Sequence, residues 1–502
     1  MSRRRFLALG AGTLGTSVLG AAGLAACSDS SPSANSAVAP TSSRVLELER
    51  ARQNPGQRIV TASLDAGSGI IDLGGRAVQT WSYNSTVPGP LIRLTAGEQL
   101  RVDLRNSLPQ PTTVHWHGIA LRNDMDGVPA LTQDQIDPGA EFRYEFTAPH
   151  PGTYIYHPHV GTQLDRGLYG ALIVDDPAEP GRYDQELVVL FDDWIDGTGR
   201  DPDQVLADLK ANGMSGSGGM AGMGGHDQMQ MPQSDLLGGD AGDVSYPIYV
   251  ANGRISTIPE TFATKPGNRI RLRLINISGD TAFRVGVPGT PMTVTHTDGF
   301  PVNPSTADAV LLGMGERLDA VVEVPERSVP LLGLAEGKGG VTQVLLSTGG
   351  AANTDTRAGV AQLGRRVLSA DALTATDAVQ LDQRRPDVTH RIILGGPGDG
   401  YLWTINGQPY DPARGLAVTE GQRVRLSFVN DTTMFHPMHL HGHTFQVRGA
   451  GARGPRKDTL SVLPGQTVDV DFDADNPGQW LAHCHNIYHG EAGMMTFVSY
   501  RQ

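Results

Sequence analysis

Cysteine is almost absent from this chain. Of its 502 residues only Cys27 and Cys484 are cysteines, so no internal disulfide is expected even in an oxidising compartment. Positive charge is also in deficit: 40 Lys and Arg face 53 Asp and Glu, a formal net charge of -13. That balance argues against nucleic acid or an anionic membrane surface as a partner, and it suits attraction of metal cations. Strong apolar runs are lacking too. The Gly/Ala/Leu run after Arg5 is weakly hydrophobic and dotted with glycine, which disfavours an uncleaved membrane anchor. What remains is 39% hydrophobic and 19% charged, rich in Gly and Pro, and long enough for two to four loop-rich globular domains.

The first 27 residues read as a signal and are set apart from the fold. Ser2-Arg3-Arg4-Arg5-Phe6-Leu7 has the form of a twin-arginine export signal. Its apolar run closes on Leu24-Ala25-Ala26-Cys27, the form of a lipoprotein processing site. Lipidation of Cys27 would be the chain's one contact with a membrane, and the protein is expected in the periplasm or on the cell surface. Residues 28–43 are rich in Ser, Ala and Pro and read as a linker.

An internal repeat then sets the architecture. Gln99-Leu100-Arg101-Val102-Asp103-Leu104-Arg105-Asn106 follows a Gly-containing turn, alternates apolar with polar, and ends at Asn. The same rhythm returns at Arg269 to Asn276 and at Arg423 to Asn430. Alternation of this kind marks half-buried strands, so the chain reads as an all-β, triplicated β-sandwich. The expected domains are 44–180, 181–350 and 386–502, with an Ala/Thr/Asp-rich connector at 351–385. The first and third copies also share a Pro-Gly turn, five residues after which stands a histidine pair, at His157 and at His483. The corresponding middle stretches, taken as Thr281 to Val285 and Val341 to Leu346, hold no histidine or cysteine, so that copy reads as a spacer and His296 as structural.

Ten of fifteen histidines fall in four clusters: His115-Trp-His117, His157-Pro-His159, His436-Pro-Met-His439-Leu-His441, and His483-Cys484-His485 with His489. On a strand His483 and His485 face one way and Cys484 the other, so this segment can serve two metal sites. Cys484, His489 and Met494 supply thiolate, imidazole and thioether, the soft set of a blue-copper site once a second imidazole joins.

These clusters, in this order on a threefold repeat, resemble the multicopper oxidases. The resemblance covers essentially the whole mature chain and implies three cupredoxin-like Greek-key β-sandwich domains and four copper ions. It implies a blue (type 1) copper at His436, Cys484, His489 and axial Met494. It implies a type 2 copper at His115 and His439, and a type 3 pair at His117, His157, His159, His441, His483 and His485. Electrons from a reducing substrate would pass through Cys484 to this shared group and on to O2, yielding water. Asp126 stands where many members carry an acid beside the trinuclear centre and is assigned proton supply. Gly490 follows His489 where some bacterial relatives carry an acid, so no second carboxylate relay is expected from that loop.

The reductant is read from a glycine-rich stretch holding Met214, Met220, Met223, His226, Met229 and Met231. Thioethers suit Cu(I), and five of the chain's thirteen methionines within eighteen residues point to Cu(I) capture. The leading expectation is a cuprous oxidase active in copper tolerance. A laccase-type phenol oxidase, a ferroxidase and a copper-sequestering lipoprotein without turnover are the alternatives.

Overall fold

The computed structural model describes residues 36–179, 181–213, 232–350, 356–449 and 453–502. The expected signal, Cys27 and the methionine stretch lie outside the described residues. Strands pair into three stacked sets: two four-stranded sheets first, then seven- and six-stranded sheets, then six- and five-stranded sheets, with a small two-stranded ribbon beside them. The protein is all-β, as its sequence implies. Among the described residues no helix is long and apolar enough to cross a membrane.

The repeated strand occupies the same place in each sandwich. Gln99–Asn106 runs parallel to Ile59–Asp72 and antiparallel to Glu141–Thr147. Arg269–Asn276 has the same relation to Gln185–Trp194 and Arg317–Glu323, and Arg423–Asn430 to Val388–Gly398 and Thr467–Asp473. Alternation puts Leu100, Val102 and Leu104, and in the third copy Val424, Leu426 and Phe428, into the core.

The terminal Asn of each strand closes the following loop. Asn106 Nδ2 donates to the carbonyls of Gln110 and Ile136, Asn276 to Thr281 and Leu312, and Asn430 to Met434 and Val462, all at 2.7–2.9 Å. Their Oδ1 atoms accept from the backbone N–H of Leu108, Ser278 and Thr432. One side chain thus satisfies three buried backbone groups that the strand end leaves open.

Two sequence expectations change. The strand of the middle sandwich equivalent to the one before His483 is Val329–Ala335, which pairs with Phe283–Gly286, rather than the stretch Val341 to Leu346; it too lacks histidine and cysteine. Residues 36–42 are not a free tether: Val38 N–H donates to Tyr500 O, and Ala37 bridges to Arg501.

The apolar interior of the first sandwich is continuous with that of the third, whereas the middle sandwich has a large cluster of its own. The chain's two ends are therefore packed against each other, which brings the early and late histidine clusters together. Asn123 ties them: its Nδ2 donates to Gln479 O at 2.7 Å and its Oδ1 accepts Gln479 N–H at 2.8 Å.

Candidate metal centre

Strand register aligns the clusters. His115 lies opposite His157 on one antiparallel pair, and His439 opposite His483 on another, so their side chains share a face. Met438 lies opposite Cys484, on the other face. Two groups of ligand-type side chains result. One gathers His115, His117, His157, His159, His439, His441 and His483, from the first and third sandwiches. The other gathers His436, Cys484 and His489. His485 joins the first group, its ring 4.9 Å from His117 and 5.4 Å from His157. All are buried except His159, which is nearly so.

Hydrogen bonds fix which ring nitrogen carries the proton. His115, His157, His439 and His483 each direct Nδ1 at a backbone carbonyl, of Asp126, Pro158, Asp458 and Cys484 respectively, at 2.9–3.0 Å. A carbonyl only accepts, so each Nδ1 donates and each Nε2 is left as a bare lone pair. His441 directs Nδ1 at Asp126 Oδ2, 3.0 Å away. His117 is turned over: its Nε2 lies 3.1 Å from Asp458 Oδ1, which leaves Nδ1 for the cluster.

Those lone pairs meet. The Nε2 atoms of His115, His157 and His439, Nδ1 of His117 and both ring nitrogens of His485 have no hydrogen-bond partner. His483 Nε2 lies 3.1 Å from His441 Nε2 and 3.3 Å from His159 Nε2. At the second group, His436 Nδ1 and His489 Nδ1 are 3.1 Å apart and each is 3.6 Å from Cys484 Sγ. Neutral imidazoles do not stabilise one another lone pair to lone pair, whereas a cation between them does. Burial holds His117, His157, His159, His436, His441 and His485 neutral well below the usual imidazole range, and His483 down to about 3, which is the ligating form. The donor set fits copper: imidazoles alone in one group, thiol with two imidazoles in the other.

Met494 is buried and joined to this second group through its backbone, its carbonyl accepting the Cys484 N–H at 3.1 Å. Asp126 is buried against the first group, with Oδ1 3.1 Å from His115 Nδ1 and Oδ2 3.0 Å from His441 Nδ1. Burial raises its carboxyl above the usual range, against the pull of His115. Glu491 lines a narrow recess of about 20 Å³ with His157, His159, His483 and His485, so a second carboxylate does stand beside the histidines despite its offset in the sequence. His296 joins neither group, its Nδ1 resting 3.0 Å from Thr295 Oγ1.

Three groups of residues escape a reading of the sequence. Asp243 Oδ2 accepts from His489 Nε2 at 3.0 Å and from the Tyr401 hydroxyl, while the Trp403 ring lies 4.0 Å from that of His489. Asp458 and Arg317 form a buried ion pair behind His117. Gly315 of the middle sandwich, with φ of +81°, packs where a Cβ would lie 2.7 Å from the His485 ring. The middle copy is thus more than a spacer. Arg317 and Asp319, two charges in a strand that is otherwise apolar up to its closing Glu323, were the available signal for Arg317; nothing in the sequence marks Asp243.

Comparison with known proteins agrees with this geometry. Multicopper oxidase family profiles match residues 68–179, 185–329 and 382–502. The chain is 48% identical over 495 residues to the multicopper oxidase MmcO of Mycobacterium tuberculosis, covering 97% of this chain and 96% of that one. It is 28% identical to copper resistance protein A of Escherichia coli, over 87% and 91% of the two chains. Among solved structures, the multi-copper oxidase from Pseudomonas thermotolerans superposes with a TM-score of 0.67 at 26% identity, over 89% of this chain and 100% of that one. Fet3p, a multicopper oxidase that functions in iron import, shares the fold with a TM-score of 0.75 at 21% identity, over 88% and 90%.

Proposed function

The chain belongs to the multicopper oxidases, and we propose that it works as a cuprous oxidase, converting Cu(I) to Cu(II) at the expense of O2. Four Cu(I) ions, four protons and one O2 would give four Cu(II) ions and two waters. His436, Cys484, His489 and Met494 would hold a type 1 copper. His115 and His439 would hold the type 2 ion, and His117, His157, His159, His441, His483 and His485 the type 3 pair. Copper bound there supplies one-electron redox chemistry between reductant and O2. Asp126, against both His115 and His441, orients those rings and is placed to hold a proton for the reduction of O2.

The observation that carries the choice of substrate is Asp243. Its carboxylate sits on Nε2 of His489, the outward nitrogen of the blue-copper group. Tyr401 and Trp403 cover the rest of that imidazole, which is fully buried. A planar phenol cannot lie against a ring sealed in this way, whereas the carboxylate of Asp243, itself buried, adds a negative charge beside the imidazole that favours a cationic donor over a neutral one. Asp243 also follows closely on the methionine stretch, whose flanking helix Pro202–Asn212 reaches the short helix that carries His489, Lys210 Nζ donating to Glu491 O. Thioethers delivering Cu(I) toward Asp243 give that stretch its purpose. Relatives named for copper resistance support the same reading. Export by the twin-arginine route with a lipid on Cys27 completes the proposal and would put the enzyme where copper enters.

Oxygen uptake with Cu(I), Fe(II) and a phenol, side by side on copper-loaded protein, tests it. Asp243→Asn, and separately deletion of 214–231, should lower the Cu(I) rate about tenfold or more while the phenol rate changes much less. Equal loss on all three substrates would rule out Cu(I) as the favoured donor. A protein that binds Cu(I) and consumes no O2 would be a store.

A further inference from the structure

Arg317 comes from the sandwich that supplies none of the converging imidazoles, and its guanidinium is fully buried. Nε donates to the carbonyl of Thr153 in the first sandwich at 3.0 Å, and Nη1 to that of Gly315 in its own at 3.1 Å. The two Nη groups fork onto both oxygens of Asp458 in the third sandwich, each at 2.6 Å. One planar group therefore touches all three sandwiches, a role its rigid fork suits and an ammonium cannot reproduce.

Asp458 passes the constraint on. Its Oδ1 lies 3.1 Å from His117 Nε2 and 3.4 Å from His439 Nδ1, and its carbonyl accepts from the same His439 nitrogen at 2.9 Å. Thr459 Oγ1, 3.1 Å from each of those two nitrogens, donates to Asp458 Oδ1 at 2.9 Å. Five other imidazoles of the group are oriented by backbone carbonyls or by Asp126, but His117 depends on Asp458 for its reversed orientation. A buried carboxylate stays ionised at such a post far more readily beside a counter-charge.

Backbone geometry leaves room for that counter-charge. Gly118, next after His117, has φ of +90°, and a Cβ there would stand 2.3 Å from Arg317 Nη2 and 2.8 Å from Asp458 Oδ2. The glycine that ends the His-Trp-His-Gly motif is what admits the guanidinium.

We propose that Arg317 is a positioning residue for the histidine cluster shared by the first and third sandwiches. By fixing Asp458 it presents Nδ1 of His117 and Nε2 of His439 to metal, so the middle sandwich sets copper occupancy at a site to which it gives no ligand. This rests on the copper assignment made above.

The test uses the copper-loaded full chain as wild type, Arg317→Met and Arg317→Lys. After dialysis against a chelator, the type 2 signal in electron paramagnetic resonance and the copper-to-protein ratio are read against the blue absorption. Arg317→Met should keep the blue absorption and the KM for reductant, lose type 2 copper about tenfold more readily, and fall in kcat. Arg317→Lys should fall between. Arg166→Met, which breaks a buried pair between the first sandwich and Asp196, just past strand Gln185–Trp194 of the middle one, should lower stability and leave the ratio of type 2 to blue copper unchanged. Full retention of type 2 copper in Arg317→Met, beside a wild type that holds both kinds, overturns the inference alone. If that variant is recovered only unfolded, Arg317→Lys decides by the same ratio. A wild type with no copper beyond the blue site overturns the copper assignment and this inference with it.

Discussion

Most of the imidazoles here, His485 excepted, turn one nitrogen to a protein partner and the other to the cluster, and that division is where the chemistry begins. His436 offers Nδ1 toward Cys484 because its Nε2 is held by Thr432 Oγ1 at 2.7 Å, and His489 does the same because its Nε2 is held by Asp243. Cys484 is buried, which pushes its thiol up, so the thiolate forms only with a cation to bind it. Cys484→Ser should therefore abolish the intense blue absorption while the type 2 signal persists, since His483 and His485 project to the other face. Visible absorption and electron paramagnetic resonance on the same sample measure both. Loss of both signals together would mean that the two groups do not assemble independently. The ligand types were legible in the sequence because histidine and cysteine are scarce and clustered. Their partners were not, because Asp243, Asp458 and Thr459 are ordinary residue types brought close only by folding, across as many as 342 positions between His117 and Thr459.

Strands and their closing loops carry the next level. The threefold repeat was readable because alternation with period two survives divergence of individual residues, and the terminal Asn returns in each copy for a reason the structure supplies. Asn430 satisfies the Met434 and Val462 carbonyls and the Thr432 N–H, and Met434 leads directly into strand His436–Leu440. Asn276 makes the equivalent bonds in the middle sandwich, where Phe283–Gly286 carries no ligand. Replacing either Asn by Ala strips three buried backbone groups of their partner and should cost about 3 kcal/mol. The two variants should part spectroscopically. Asn430→Ala should shift or weaken the blue absorption by loosening the approach to His436, whereas Asn276→Ala should leave it unchanged. Thermal unfolding with the visible spectrum followed in parallel checks this, and an altered spectrum in both would show that the loop acts through general loosening.

Across the entire chain, function depends on how the sandwiches dock, and docking relies on buried charge that composition could not reveal. An overall charge of -13 says nothing of where arginine meets aspartate. Asp319 is the clearest case. It accepts from Thr153 Oγ1 of the first sandwich at 2.9 Å and from Arg271 and Arg273 of the second at 2.7 and 3.2 Å. Burial pushes its carboxyl up, but Arg273 and Arg271 outweigh burial and hold it down to about 2. Free aspartate titrates near ~3.9, so folding favours the ionised form. The stabilisation is fully present above about pH 4, amounts to about 2–3 kcal/mol at neutral pH, and is lost as pH falls through about 2. Asp319→Asn should therefore unfold at lower denaturant concentration at pH 7, and the gap from wild type should narrow steadily between pH 4 and pH 2. Denaturation midpoints over that range decide it. A gap that stays constant with pH would assign the loss to packing rather than charge, and a gap that widened on acidification would reverse the sign of the coupling between Asp319 and the two arginines.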